Sequence, residues 1–345
     1  MTDWSASGRR DSIRVTLVAP GSLDSVIGEL ANVEPDGCSV SEGYYEDTRA
    51  SARVRTVGDD GYVEHAWMRV VHEVPADGYR EELFTGPVTD MKREREDGTV
   101  VTDYSLDSSL YAIKNDLLVG GWAIGQGAKL TSVARQLLST CGRPCDLSRA
   151  QEHVYGSPVM YECGESALTV LMDACGSYDR VSVDGHGRVT VERYVAPSAR
   201  EPSQDVDPEG ERSVVIGSVT SGDGSQTTPG RVIVTSGSGD SLMVASYDSP
   251  ADAESSSRVR GYMYARKESH SGENTTWGQL LAEAKASWQA SQDPGREHEL
   301  TVMWQAWHQG DVVRLRVGGT WRKCLVKSVE SDLGAMTQKV TLKEV

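Results

Sequence analysis

Apolar and polar residues alternate from Ile13 to Val18 and again through ARVRTV at Ala52–Val57, the period of two that half-buried strands show. The stretch Tyr62–Val74 (YVEHAWMRVVHEV) is rich in β-branched and aromatic residues and predicts a further strand. Gly and Pro fall between these runs, at Pro20-Gly21, Pro35-Asp36-Gly37, Pro75 to Gly78 and Gly86-Pro87, where the backbone turns most easily. Residues 87–106 read as a hairpin turning at Glu96-Asp97-Gly98. Residues 12–115 are therefore predicted to form one mostly β unit.

The spacing then changes. Leu130, Val133, Ala134, Leu137 and Leu138 recur as on one face of a helix, and Gly142 and Pro144 end the run. A second helix is predicted over 165–174, where Ala167, Leu168, Leu171 and Met172 repeat the spacing and Gly176 sits just past the end. From Arg180 the chain alternates on both sides of Asp184-Gly185-His186-Gly187, a hairpin pattern, so residues 116–196 read as a small α/β unit.

Residues 197–212 (PSAREPSQDVDPEGER) hold too few apolar side chains for a core and read as a linker or an exposed loop. A third unit, 213–345, follows, with short strands at Val214–Val219, Arg231–Thr235 and Leu242–Tyr247. It has one helix over 276–291, which Thr275 or Thr276 can cap and whose apolar face is Leu280, Leu281, Ala284 and Trp288. Three or four strands with a turn at Gly318-Gly319 close the chain. The predicted class is α+β, mostly β.

Charge narrows the function. The 345 residues carry 35 Lys and Arg against 51 Asp and Glu, a net charge of −16, so phosphate backbones are repelled overall and broad nucleic-acid binding is disfavoured. Residues 296–345 hold eight basic and six acidic side chains, which leaves −18 on residues 1–295. No apolar run approaches the roughly 20 residues of a membrane span, and MTDWSASGRRDSIRV lacks the apolar core of a signal peptide. A soluble chain made in a reducing cytoplasm is expected, since six cysteines spread over this length are too sparse for a disulfide scaffold. Thirteen Tyr and eight Trp stand against a single Phe, Phe84.

Candidate chemistry is thin. Cys141, Cys145, Cys163 and Cys175 open with a C-x3-C pair, but eleven residues separate the second pair, a spacing that favours buried thiols over zinc. Asp205-x-Asp207-x-Glu209-Gly210 opens like a calcium loop, yet position twelve is Ile216 where a bidentate Glu belongs. Gly125-Gln126-Gly127 lacks the third glycine of a dinucleotide fingerprint. No G-x-S-x-G, H-E-x-x-H or P-loop pattern occurs, and the seven histidines are dispersed, with His186 in a hairpin turn. No cofactor or metal is implied. Trp304, Trp307 and Trp321 read either as a sugar-stacking platform or, preferably, as core and subunit-contact residues. Alternation through MWQAWHQGDVV would put residues 303, 305 and 307 on one face and 304 on the other, with one of Trp304 and Trp307 in the core and the other at a contact.

Several stretches resemble the hub proteins of phage tails and contractile injection machines, including the hub-like proteins of Gram-positive prophages. YSLDSSLYAIKNDLL (104–118) is similar to the strand and short helix that end that family's first tube domain. The segment 128–141 and then VMYECGESALTVLMDACGSYDRVSVDGHGRVTVERY (159–194) follow its middle order of helix, strand, helix and hairpin. TPGRVIVTS (228–236), WGQLLAEAKASWQAS (277–291) and WHQGDVVRLRV (307–317) resemble its later strand, helix and closing barrel strand.

The resemblance implies two tube-type, β-barrel-like domains, near 12–115 and 213–345, flanking the small α/β insert. It implies a non-enzymatic homotrimer in the virion tail that closes the tube and leaves a path for DNA. Its partners would be the tail tube or distal tail protein, the tape-measure protein and a tip or spike protein. DNA would be met only in transit, and this chain would insert in no membrane. An acidic lumen suits that passage, so Arg314 and Arg316, which share one strand face, are expected outward or at subunit contacts. A carbohydrate- or receptor-binding tail module and a cell-wall hydrolase without a recognisable motif are the alternatives.

Overall fold

The structure is a computed structural model. It describes residues 10–345 apart from 21, 97, 141, 177, 212, 223–227, 238–241, 271–275 and 292–295. The chain divides into two compact units. The first takes the described residues up to Ser218 together with Leu300–Leu342, and the second takes those of Val219–Glu299 with Lys343–Val345.

The first unit opens with β1 (Ser12–Ala19), β2 (Ser22–Glu29), β3 (Ser39–Gly43), β4 (Ala50–Val57), β5 (Trp67–Val74), β6 (Tyr79–Glu96) and β7 (Thr99–Asp107). The alternation at 13–18 and 52–57 is thus realised as strands, and the 87–106 hairpin as the far ends of β6 and β7; its residue Asp97 lies outside the described residues. Strand β5 is buried along nearly its whole length. Met68 and Val70 point into the main core with Phe84, Tyr104 and Trp304, while Trp67 packs with Val18 and Leu23 in a second cluster. A bulge at Leu83 breaks the β5–β6 register between Val70 and Val71, which lets Leu83 and Phe84 enter the same core although they are consecutive.

Strand β7 ends at Asp107, and Ser108 caps α1 (Ser109–Lys114) by accepting from the Leu110 N–H, as the resemblance implied for 104–118. The insert then forms β8 (Trp122–Ile124), α2 (Leu130–Thr140), β9 (Cys145–Arg149), β10 (Val159–Tyr161), α3 (Ala167–Cys175), β11 (Asp179–Val183) and β12 (Val189–Arg193). The periodic residues Leu130, Val133, Ala134, Leu137, Leu138, Leu168 and Leu171 are all buried and share one core with Val181, Val189 and Val191. Strand β9, which adds to this hairpin in parallel, was not predicted.

Strand β13 (Asp205–Val206) follows, and the chain enters the second unit along β14 (Val215–Gly222). That unit holds β15 (Arg231–Ser236), β16 (Met243–Asp248), α4 (Ser257–Arg260), β17 (Ala265–Ser269) and α5 (Trp277–Ser291). Its sheet has the order β16–β15–β17, and Leu280, Ala284 and Trp288 of α5 cover Val232, Val234 and Ala245. Of the two candidate caps, Thr276 accepts from the Gln279 N–H at 3.3 Å and Thr275 lies outside the described residues.

The chain returns to the first unit along β18 (Glu297–Met303) and closes with β19 (Val312–Val317), β20 (Thr320–Asp332) and β21 (Thr337–Glu344). Gly318 and Gly319 make the β19–β20 turn with φ of 55° and 80°, a conformation that glycine adopts without cost. Strand β20 pairs antiparallel with β3, Ser331 opposite Val40. The order β21–β20–β3–β4–β7–β6–β5–β1–β2 is therefore continuous, with β19 and β13 branching from β20. The class is α+β and mostly β, but among the described residues no sheet closes into a barrel, and the path ends at β2 as an open edge. The β-barrel-like form expected for 12–115 and 213–345 is not reached as a closed barrel in the described residues, because the C-terminal strands join the N-terminal sheet instead of closing on themselves. No helix of the described residues is long and apolar enough to cross a membrane.

Candidate functional site

Successive side chains of a strand point to opposite faces. On β6 this puts the neighbouring carboxylates Glu81 and Glu82 on opposite sides, and each takes a histidine from a different part of the chain. Glu82 meets the tip of the β11–β12 hairpin: its Oε2 lies 2.5 Å from His186 Nδ1, and His186 Nε2 lies 2.7 Å from Asp24 Oδ1. The buried Arg69 of β5 donates to Glu82, to the Thr85 hydroxyl and to the Leu23 carbonyl, and its Nη2 sits 3.3 Å from His186. Thr85 in turn donates to the Gly185 carbonyl at 2.7 Å. Burial lowers the Arg69 pKa while Glu82 and Asp24 oppose it. His186, predicted only to occupy a turn, thus fastens the insert to the β body.

On the other face, Glu81 Oε1 lies 2.8 Å from His308 Nε2, and Glu42 Oε1 of β3 lies 2.9 Å from His308 Nδ1. Burial disfavours the imidazolium, but the two carboxylates win and raise the His308 pKa well above its ordinary value. Burial likewise pushes the Glu81 carboxyl up, and its bond to His308 brings it below the ordinary value. Gln309 donates its N–H to Glu42 at 3.0 Å and its amide to Ser182 of β11, and accepts from Arg180. The Arg180 guanidinium stacks over Tyr44 at 3.8 Å. The turn 308–310 is thus the place where β3, β6, β11 and the C-terminal segment meet. A polar cleft of about 340 Å³ beside it is lined by Glu42, Arg49, Glu82, Arg180, Glu192 and His308, among others.

The tryptophans divide. Trp304 is 1% exposed and packs edge-on against His72 at 4.7 Å. Trp307 is 3% exposed and donates to Gln204 at 2.9 Å. Both face inward, because β18 ends at Met303 and Ala306 takes a left-handed φ of 51°, so strand alternation does not run through 303–307. Neither can offer a sugar-stacking face. Trp321 is 42% exposed, under the Arg314 guanidinium at 5.6 Å. Arg314 and Arg316 are exposed on one face of β19 and pair with Asp205 and Asp207 of the same chain. Two of the three acids of the calcium-like stretch, Asp205 and Asp207, are thereby committed to arginines while β13 pairs in parallel with β19.

Cys175 is buried and Cys163 exposed, Cys145 lies between, and Cys141 is outside the described residues. No cluster of three or more potential metal ligands occurs among the described residues. Six histidines lie within ion-pair reach of a carboxylate, and His153 stacks on Tyr178. The row Ser221–His298–Glu344 has spacings of 2.8 and 3.0 Å. It has the order of a hydrolase triad, but its serine is exposed on an extended strand, and the side chains come from three strands as a cross-strand polar ladder. Sequence reasoning missed the pairs at Glu42, Glu81 and Glu82. Only the coincidence of isolated histidines with acids on alternating strands hinted at them.

No family model and no curated protein matches the chain in sequence. Solved structures do. A tail protein from Neisseria meningitidis aligns over 96% of this chain and 97% of its own at 12% identity and a TM-score of 0.67. A 43 kDa prophage tail protein from Shewanella oneidensis aligns over 97% and 98% at 11% identity, TM-score 0.66. A prophage tail protein from Listeria monocytogenes aligns over 96% and 94% at 10% identity, TM-score 0.53. At such identities the likeness is one of fold, extending over essentially the whole of each chain.

Proposed function

We propose that this chain, which has the fold of phage tail proteins, is a structural tail hub: it closes the end of a tail tube as a homotrimer, joins it to tip, spike or tape-measure components, and leaves a path for DNA. The observation that carries this reading is the likeness to tail proteins over at least 96% of this chain and 97% of two of theirs, so the whole architecture is shared and not one module of it. The open path of strands supports it further. Among the described residues, strand β2 ends the path with Val26 and Ile27 exposed at 56% and 47%, and an apolar edge strand of this kind calls for a partner. A tube-type barrel would then be completed between copies and not within one. The pairing of Arg314 and Arg316 with Asp205 and Asp207 of the same chain suits a scaffold past which DNA moves without being held.

Electron microscopy of particles carrying an epitope tag on this chain tests the proposal, together with the mass of the purified protein by light scattering. Label at the tail end and a trimeric mass are the expected results. Label on the capsid, or a chain that stays monomeric at particle-like concentrations, would overturn it.

A further inference from the structure

We propose that His308 is a pH-sensitive clasp that holds the turn 308–310 of the C-terminal segment against β3, β6 and the insert hairpin, and that opens when the imidazole loses its proton. The geometry is that of a cation gripped from both sides. Both ring nitrogens have a carboxylate within 3 Å, Glu42 from β3 and Glu81 from β6, so both must donate, and only the imidazolium has two donors. Neutral imidazole would turn a bare nitrogen toward one of these carboxylates.

The charged groups around the ring come from every element packed on it. Strand β3 brings Glu42; β6 brings Glu81, whose carboxylate also accepts from Tyr79; and β5 brings His72, opposite Glu81 in the β5–β6 register. The turn itself brings Asp311, which accepts the His308 N–H at 3.0 Å. Strand β11 brings Arg180, and Arg200 donates to the Gly310 carbonyl. Glu82, Asp184, Glu192 and Arg49 line the cleft alongside. When the proton leaves, three carboxylates are left around a neutral ring, while the arginines at the turn, Arg180 and Arg200, are bonded to Gln309 and to the Gly310 carbonyl. Carboxylates so placed repel in a partly desolvated setting.

The direction follows from linkage. A histidine whose pKa is higher in the folded chain contributes stability that is complete below about 6.5 and is lost as the pH rises through the folded value. That value lies well above the ordinary one, so the clasp is closed at neutral pH and opens on the alkaline side. Trp307, one residue away, and Gln309, bonded to Ser182 of the insert, place the opening where the C-terminal segment and the insert are joined.

The test uses the full chain labelled with 15N-histidine, with the His308 ring signals followed by NMR and amide exchange measured over 304–311. We expect His308 to titrate above the ordinary histidine value of about 6.5 and protection of 304–311, corrected for intrinsic rate, to fall about tenfold across that midpoint while β4 and β7 stay protected. E42Q should lower the midpoint by about one unit. H308Q should show weak, pH-independent protection of 304–311, and H308K, which keeps a cation, should hold protection to higher pH. A His308 midpoint at or below 6.5, or wild-type protection of 304–311 that does not change across the midpoint, would overturn the clasp. Both readings come from the wild-type chain and do not depend on how a variant folds.

Discussion

A Cβ added at Gly185 would lie 1.6 Å from the carbonyl oxygen of Glu82. The tip of the β11–β12 hairpin thus touches the backbone of β6 with no room for a side chain, and the same contact brings His186 between Glu82 and Asp24.

Gly185→Ala should therefore push the hairpin off the strand and break the bonds that Thr85 and His186 make there. Overpacking of this kind costs about 1–3 kcal/mol, and we expect the upper end, since backbone and not a flexible side chain is struck. Urea denaturation measures it. A loss under about 0.5 kcal/mol would mean that the hairpin does not dock as described.

Trp304 and Trp321 should respond very differently to truncation. Trp304→Ala empties a core site shared with Met68, Phe84 and Tyr104 and should cost about 3–5 kcal/mol. Trp321→Ala removes a half-exposed ring and should stay within about 0.5 kcal/mol in the isolated chain. Thermal unfolding of both variants reads the contrast, and equal losses would contradict the assigned burial.

Asp60 should make the first unit acid-sensitive. Burial pushes its carboxyl up, but the hydroxyls of Tyr104 and Thr56 and the Tyr62 N–H, at 2.6, 2.8 and 3.1 Å, together hold it below the ordinary value. A carboxyl depressed in the folded state contributes stability above about pH 4, and that contribution is lost as the pH falls through the folded value. Asp60→Asn should cost about 1–3 kcal/mol at neutral pH and flatten the stability profile below pH 4. Parallel profiles for wild type and variant across that range would refute the assignment.

The cysteines should separate by accessibility. Burial pushes the Cys175 thiol up to about 12, so the reactive thiolate is scarce as well as shielded, whereas Cys163 is exposed. Alkylation of the native protein near pH 8, followed by peptide mass spectrometry, should label Cys163 within minutes and leave Cys175 intact until denaturant is added. Equal rates would show α3 to be less buried than described.

What the sequence determined by itself was local. The alternation at 13–18 and 52–57, the spacing of Leu130 to Leu138, the hairpin at 180–193 and the turn at Gly318-Gly319 are all written in neighbouring residues, since period and turn chemistry act over a few positions. Strands without alternation escaped: β2 exposes most of its residues on both faces, and β8 has only three residues. The tertiary structure alone decided that β20 pairs with β3, nearly three hundred residues earlier, and that the sheet therefore stays an open path. It alone decided that Ala306 breaks the alternation between Trp304 and Trp307, and that Glu81 and Glu82 each receive a distant histidine. No local pattern encodes such pairings, because an acid or a histidine on a strand has the same neighbours in sequence whether it faces water or a partner. The choice is made by the packing that brings remote segments together and makes an unpartnered buried charge too costly to keep.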